Sequence, residues 1–321
     1  MEKVKSILKK REMNILIPLI IVCIATTMLA PQFASKTNVL DLMRSISFSV
    51  ITAVGMTFVI TSGNLDLSVG STLTISGMCA GLCLTSGIPT VPSILIAMAL
   101  AVLIGALNGF LSVKVGMPSI IATLGISYIS KGIVFVVSRG TPYYPFPESF
   151  NLIGQGKIGS LHYSILIAAV ITVFFGYVLY STKYGRVVFA LGGNREATRL
   201  AGINVDRYMM SIYILCSALA GFVGILTASR MGTAVANAGE GKDLMIAAGV
   251  IIGGTSFTGG VGTMVGTVIG ASLMEVLTNA LVMVHISAYW QNVLIGALMI
   301  LAVSLDTIRT NPKFRKRRRK A

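Results

Sequence analysis

Charge is scarce in this chain: of 321 residues only 12% are Asp, Glu, Lys or Arg, while 54% are hydrophobic and the mean hydropathy is +0.83. A soluble domain carries about 25% charged residues, so there are too few to clothe a water-exposed surface, and most of the chain is assigned to lipid. Histidine is nearly absent. His162 and His285 stand apart from any Cys or carboxylate cluster, which speaks against a metal centre or a nucleophilic catalytic set. No GxxxxGK[ST] phosphate loop occurs, and GEGKDL over 239–244 lacks its spacing, so the chain carries no visible engine for nucleotide hydrolysis. The four cysteines, Cys23, Cys79, Cys83 and Cys216, lie inside apolar runs and read as small packing residues rather than metal ligands or a disulfide framework.

What is present is glycine, 34 of them, and long apolar runs from Ile15 to Val303. Barrel strands would alternate in polarity, whereas these runs do not, so the fold class is an all-α integral membrane protein. With roughly 17 to 25 apolar residues needed per span, candidates fall at 14–30, 39–62, 66–87, 91–113, 118–138, 162–181, 207–229, 243–256, 260–283 and 288–306. About ten transmembrane or re-entrant helices are expected, with 66–87 and 243–256, glycine-broken or short, as the candidates for re-entry. Lys9, Lys10 and Arg11 ahead of the first run resemble the basic flank of a signal peptide, but the many later spans favour a retained first helix.

The formal charge of +15 acquires meaning from its placement. Ten spans put both termini, the turn at Lys114 and the loop over 182–207 on one side, and 19 of the 26 basic residues fall there. Basic residues gather on the cytoplasmic side, so both termini are expected to be cytoplasmic, in a single domain over 1–321. The tail over 307–321, ending in RKRRRK before Ala321, reads as a topology anchor against membrane lipid rather than a nucleic-acid contact. The loop over 139–161 interleaves Pro142, Pro145 and Pro147 with Tyr143, Tyr144 and Phe146; it cannot span and suits an external cap.

A two-fold internal repeat emerges when residues 53–77 are set beside 247–271 with two residues skipped. Gly55 meets Gly249, Thr61-Ser62 meets Thr255-Ser256, and Val69-Gly70 meets Val261-Gly262. Each copy is an apolar helix, a polar glycine-rich break and a second helix, within pseudo-repeats at roughly 39–138 and 207–306; paired interruptions point to a pathway near the midplane. The polar residues of these segments, Asn64, Asp66, Ser68, Asn108, Thr255, Ser256, Glu275 and Asn279, are the candidate pathway residues. Asp66 or Ser68 could equally cap the helix that follows. Ser272, Glu275 and Asn279 share one helix face, which is expected to front the pathway or a neighbouring subunit. Trp290 and Gln291 are weaker candidates. Gly262, Gly266 and Gly270, with Gly249/Gly253 and Gly105/Gly109, recur every four residues and predict close helix packing.

Within the basic loop, Asn194 can cap a helix of about two turns that Gly202 ends. Ala197, Leu200 and Ala201 make a small apolar face, rimmed by Arg195, Glu196 and Arg199; both a plug for another protein's groove and a plain amphipathic connector fit that pattern. Here ALGGNREATRLAGINVDRY (190–208) resembles the cytoplasmic coupling segment of ribose and simple-sugar ABC transporter permeases. GMTFVITSGNLDLSVGS (55–71), MPSIIATLG (117–125) and GGTSFTGGVGTMVGTVIGA (253–271) match further signatures of that family in order. The resemblance implies a permease subunit of an ATP-driven importer in a bacterial plasma (inner) membrane, moving a ribose-like monosaccharide or related furanosyl solute. It implies that Gly192, Gly193, Asn194, Arg195, Glu196, Ala197, Arg199, Leu200 and Gly202 dock on an ATPase subunit. ATP and Mg are then bound by that partner and no cofactor by this chain; an extracytoplasmic solute-binding protein and a second permease chain, identical or related, complete the assembly. Two departures stand out: Lys242-Asp243-Leu244 replaces the family's Tyr-Glu-Leu-Asp run, and Glu275 occupies a position that is commonly small. Importers of nucleosides or branched-chain amino acids are the nearest alternatives within the class. An ion-driven carrier using Asp66 and Glu275, and a non-transporting scaffold, are the rivals outside it.

Overall fold

The computed structural model describes residues 13–310; the basic residues ahead of Asn14 and most of the basic tail lie outside that range. A helix stands in each of the ten expected segments: α1 (Met13–Leu29), α2 (Lys36–Thr61), α3 (Val69–Thr85), α4 (Thr90–Gly109), α5 (Ser119–Ser138), α7 (Tyr163–Ser181), α10 (Val205–Met231), α11 (Lys242–Ile252), α12 (Met264–Met283) and α13 (Ala288–Thr310). Between them come three shorter helices, α6 (Glu148–Gln155), α8 (Lys183–Gly193) and α9 (Arg195–Leu200). Strand structure among the described residues is confined to the pair Lys157–Ile158 and Leu161–His162. Among the described residues six helices, α2, α4, α5, α7, α10 and α12, are long and apolar enough to cross a membrane.

Local chemistry sets the ends of these helices. The side chain of Ser35 accepts from the Asn38 amide to start α2, Asn204 accepts from Arg207 to start α10, and Thr263 accepts from Gly266 to start α12. Each satisfies an amide that the first helical turn leaves without an internal partner. Helix α10 stops at Gly232, whose φ of +65° an L side chain rarely adopts.

Burial sorts the bundle into inner and outer members. In the most apolar stretches of α2 and α10, 83% and 67% of residues are buried, against 17% in α7. The core lies where α2, α10 and α3 meet, with Met56, Phe58, Tyr213 and Leu226 almost fully enclosed. Outer faces carry Val136 and Val173, 78% and 74% exposed, which suits lipid rather than water.

Three boundaries differ from expectation. The break between α11 and α12 runs over 253–263, longer than the gap left between 243–256 and 260–283, because Gly254, Gly259 and Gly260 all hold positive φ. Helix α3 begins at Val69 rather than near 66. The loop over 139–161 does not merely overlie the bundle: Phe150 is fully buried, and Gly154 accepts from Arg44 through its carbonyl and donates through its amide to the Ser229 hydroxyl.

Candidate functional site

Both interruptions and the basic loop converge on one point built from glycine. The amide of Gly260 donates to the carbonyl of Thr61 at 2.8 Å, joining the second break to the end of α2. Gly192, at the end of α8, lies so close to both that an added Cβ would sit 1.9 Å from the Thr61 carbonyl oxygen and 2.3 Å from the Gly260 nitrogen. A Cβ on Gly259 would fall 2.7 Å from the Gly63 Cα and 2.9 Å from that of Gly192. Side chains are excluded from this junction, so displacement of one backbone is transmitted to the others by direct contact.

Helix α9 projects from the junction. Asn194 accepts from the Ala197 amide at 2.9 Å, capping it as expected, and Gly202 follows at φ +80°. Six residues make a marginal helix in water, so it depends on its neighbours. Thr198 is buried against the body, whereas Arg195, Glu196, Ala197, Arg199 and Ala201 are exposed and Leu200 is 81% exposed. Arg199 lies 3.7 Å from Glu196 and 3.8 Å from Asp206, and Asp206 binds Lys114 at 2.8 Å beside the π-helical turn Phe110–Lys114 that ends α4. The apolar face expected of Ala197, Leu200 and Ala201 is therefore present and points away from the bundle. A Cβ on Gly193 would meet nothing within 4 Å.

The candidate pathway residues do not gather in one place. Asn64 turns back onto the Ser62 carbonyl, Thr255 accepts from the Thr263 amide, and Ser256 shares a hydrogen bond with Thr258, all within the two breaks. Asp66, Ser68 and Asn108 form a separate, fully buried chain: Asn108 donates to Ser68 at 2.7 Å and Ser68 donates to Asp66 at 2.6 Å. Neither Asp66 nor Ser68 caps α3 through its side chain; the carboxylate instead takes the Ser68 amide and hydroxyl and braces the break. Asn279 pairs with Asn38 through two amide hydrogen bonds of 3.1 and 3.2 Å, so the Ser272–Glu275–Asn279 face is turned partly onto α2 within the chain.

Glu275 alone of that set lines a cavity of ≈330 Å³ between α2, α3, α10, α11 and α12. Its carboxylate, 7% exposed, accepts from Lys242 at 2.7 Å and from the Ser49 hydroxyl. Thr52 and Thr227 add hydroxyls, Phe48 an aromatic face, and Arg230 a guanidinium that donates to Ser45 at 3.0 Å and stands 5.7 Å from the Phe48 ring centre. Sequence reasoning missed Arg230 and saw Lys242 only as a departure; a lone cation in the last turn of a long apolar helix was the available signal. Ser49 lies twelve residues from Thr61, placing the cavity about 18 Å along α2 from the glycine junction.

A helical membrane body with paired central breaks, a cavity between helices that holds charged side chains, and a projecting short helix fits the class of membrane permeases. The chain belongs to the family described as the branched-chain amino acid transport system permease component, whose profile matches residues 38–303. It is 35% identical over 299 residues to the ribose import permease protein of Escherichia coli strain K12, covering 92% of this chain and 93% of that protein. It is 33% identical over 298 residues to the galactose/methyl galactoside import permease protein of the same strain, covering 87% and 89%. A third relative, the L-arabinose ABC transporter permease protein of Azospirillum brasilense, is 31% identical over 283 residues, covering 88% and 84%. No solved structure matches this chain.

Proposed function

We propose that this chain forms the solute pathway of an ATP-binding-cassette importer for a monosaccharide and passes the motion of a separate ATPase to that pathway through α9. The relatives named for ribose, galactose and arabinose direct the reading to simple sugars. One observation supports the coupling role: the end of α8, which leads directly into the exposed α9, meets both central breaks so closely that a Cβ on Gly192 or Gly259 would overlap neighbouring backbone. ATP binding elsewhere biases this chain only through contacts that differ between its states, and α9 with Arg195, Glu196, Arg199 and Leu200 offers such a contact. ATP and Mg reside in the ATPase subunit, a solute-binding protein delivers sugar outside, and a second permease chain completes the path. The concentration of basic residues supports an orientation with both termini, α9 and the glycine junction on the cytoplasmic side and the cavity toward the outside.

Glu275 is engaged by Lys242 and Ser49, which leaves it poorly suited to the proton or cation cycle of an ion-driven carrier. The test is reconstitution of the chain with its ATPase and binding protein in liposomes, following labelled ribose, galactose and arabinose. Uptake of at least one sugar is expected only with ATP, and Glu196→Arg is expected to lower sugar moved per ATP at least tenfold without loss of membrane insertion. Unaltered coupling in that variant, or uptake by the chain alone under an ion gradient, contradicts the reading.

A further inference from the structure

The cavity carries more positive charge than its own carboxylate can balance. Arg230 in the last turn of α10 and Lys242 at the start of α11 both line it, and Glu275 is its single acid. Glu275 is committed to Lys242 at 2.7 Å and to Ser49. Arg230 then has the Ser45 hydroxyl and the Phe48 ring as partners, and among the described residues no carboxylate lies within ion-pair distance of it. Asp41, nearer the start of α2, is exposed and forms no ion pair with it either.

A guanidinium offers five N–H donors in a planar fork that matches an oxyanion with two parallel hydrogen bonds. Asp41 and Glu275 act on this half-buried group only from beyond ion-pair distance, and charges held on membrane helices in this way mark candidate solute routes. Around Arg230 the lining offers hydroxyls from Ser49, Thr52 and Thr227 and an aromatic face from Phe48, beside the aliphatic side chains of Leu73, Val223 and Ile246. The volume, ≈330 Å³, lies at the lower end of the roughly 300–1,000 Å³ typical of small-molecule pockets. It accommodates one monosaccharide rather than an oligosaccharide.

We propose that the cavity is a solute subsite for an acidic monosaccharide, whose oxyanion is received by Arg230 while Glu275, held by Lys242, accepts from a sugar hydroxyl. This rests on the importer reading and narrows it from simple sugars in general to those bearing a carboxylate or phosphate.

The experiment is titration calorimetry of the full chain in phosphatidylcholine nanodiscs with D-ribose, D-ribonate, D-ribose 5-phosphate and inorganic phosphate. At least one of the two acidic sugars is expected to bind tenfold or more tightly than ribose, and comparison of the two separates carboxylate from phosphate as the preferred group. Arg230→Gln is expected to bring that ratio close to one, and Arg230→Lys to keep part of it. Equal affinity for ribose and both acids, no binding of any probe, or a preference that survives Arg230→Gln overturns the proposal. So does tighter binding of inorganic phosphate than of both acidic sugars, or loss of acid binding on adding phosphatidylglycerol, which assigns the site to a lipid headgroup. Should Arg230→Gln fail to insert, the wild-type ratio decides alone. ATP-driven uptake of neutral sugars by the wild-type assembly tests the importer reading separately, so failure of one is distinguishable from failure of the other.

Discussion

Gly192 and Gly193 are adjacent and chemically identical, yet their surroundings differ completely. A methyl group on Gly192 would overlap the Thr61 carbonyl and the Gly260 amide, whereas one on Gly193 would meet nothing within 4 Å. Gly192→Ala therefore has to push apart α8 and both breaks, an overpacking of about 1–3 kcal/mol or more. Gly193→Ala leaves the fold undisturbed. The expected outcome is a melting temperature lowered by several degrees and sugar uptake reduced at least tenfold in Gly192→Ala, with Gly193→Ala close to wild type on both measures. Equal behaviour of the two variants would remove the junction from the account. At this scale the sequence was legible where a residue violates its surroundings. Glu275 stands out as an acid among apolar neighbours, and the structure finds it on the cavity wall. Arg230 was not legible as its neighbour, because the loop over 232–241 has no pattern from which the meeting of α10 and α12 at one cavity can be read. Asn279 was misjudged for a similar reason: its Asn38 partner is 241 positions away.

Among the elements, α9 is the one whose existence depends most on a single side chain. Its six residues lie far below the roughly 12 to 15 that an isolated helix requires, and Asn194 supplies the cap. Loss of such a cap costs about 1 kcal/mol, a large share of the stability of so short a segment. Asn194→Ala is expected to weaken co-purification of the ATPase several-fold, while Asn194→Asp or Asn194→Ser, which preserve the cap, are expected to retain it. Binding unchanged in Asn194→Ala would mean that the ATPase recognises something other than this helix. The helices themselves were legible from apolar run length, and α9 from its cap and terminal glycine. The break after α11 was drawn too short, because Thr255, Ser256, Phe257 and Val261 do not interrupt a run as visibly as the positive-φ glycines around them interrupt the backbone.

Taken as a whole molecule, α2 and α12 run from the glycine junction to the cavity wall. They touch along the way, where the Thr57 and Thr267 hydroxyls meet at 2.7 Å. Rods of this kind carry a displacement at one end to the other without an intervening hinge, and in the proposed reading this links motion at the glycine junction to the cavity about 18 Å along α2. The overall plan was foreseeable from composition and from basic residues concentrated in a few loops; the joining of those loops to the breaks was not, since glycine contacts leave no side-chain signature. The most direct test is pulsed electron–electron distance measurement on the full assembly, with the four native cysteines replaced. One label pair joins Glu196 to Thr258 across the junction, and the other joins exposed sites at the rim of the cavity, near Asp41 and Leu244. Between nucleotide-free and ATP-bound states, the account predicts a Glu196–Thr258 distance constant to about 2 Å while the rim distance changes by several ångströms. A short helix that shifts against Thr258 while the rim stays fixed would contradict it.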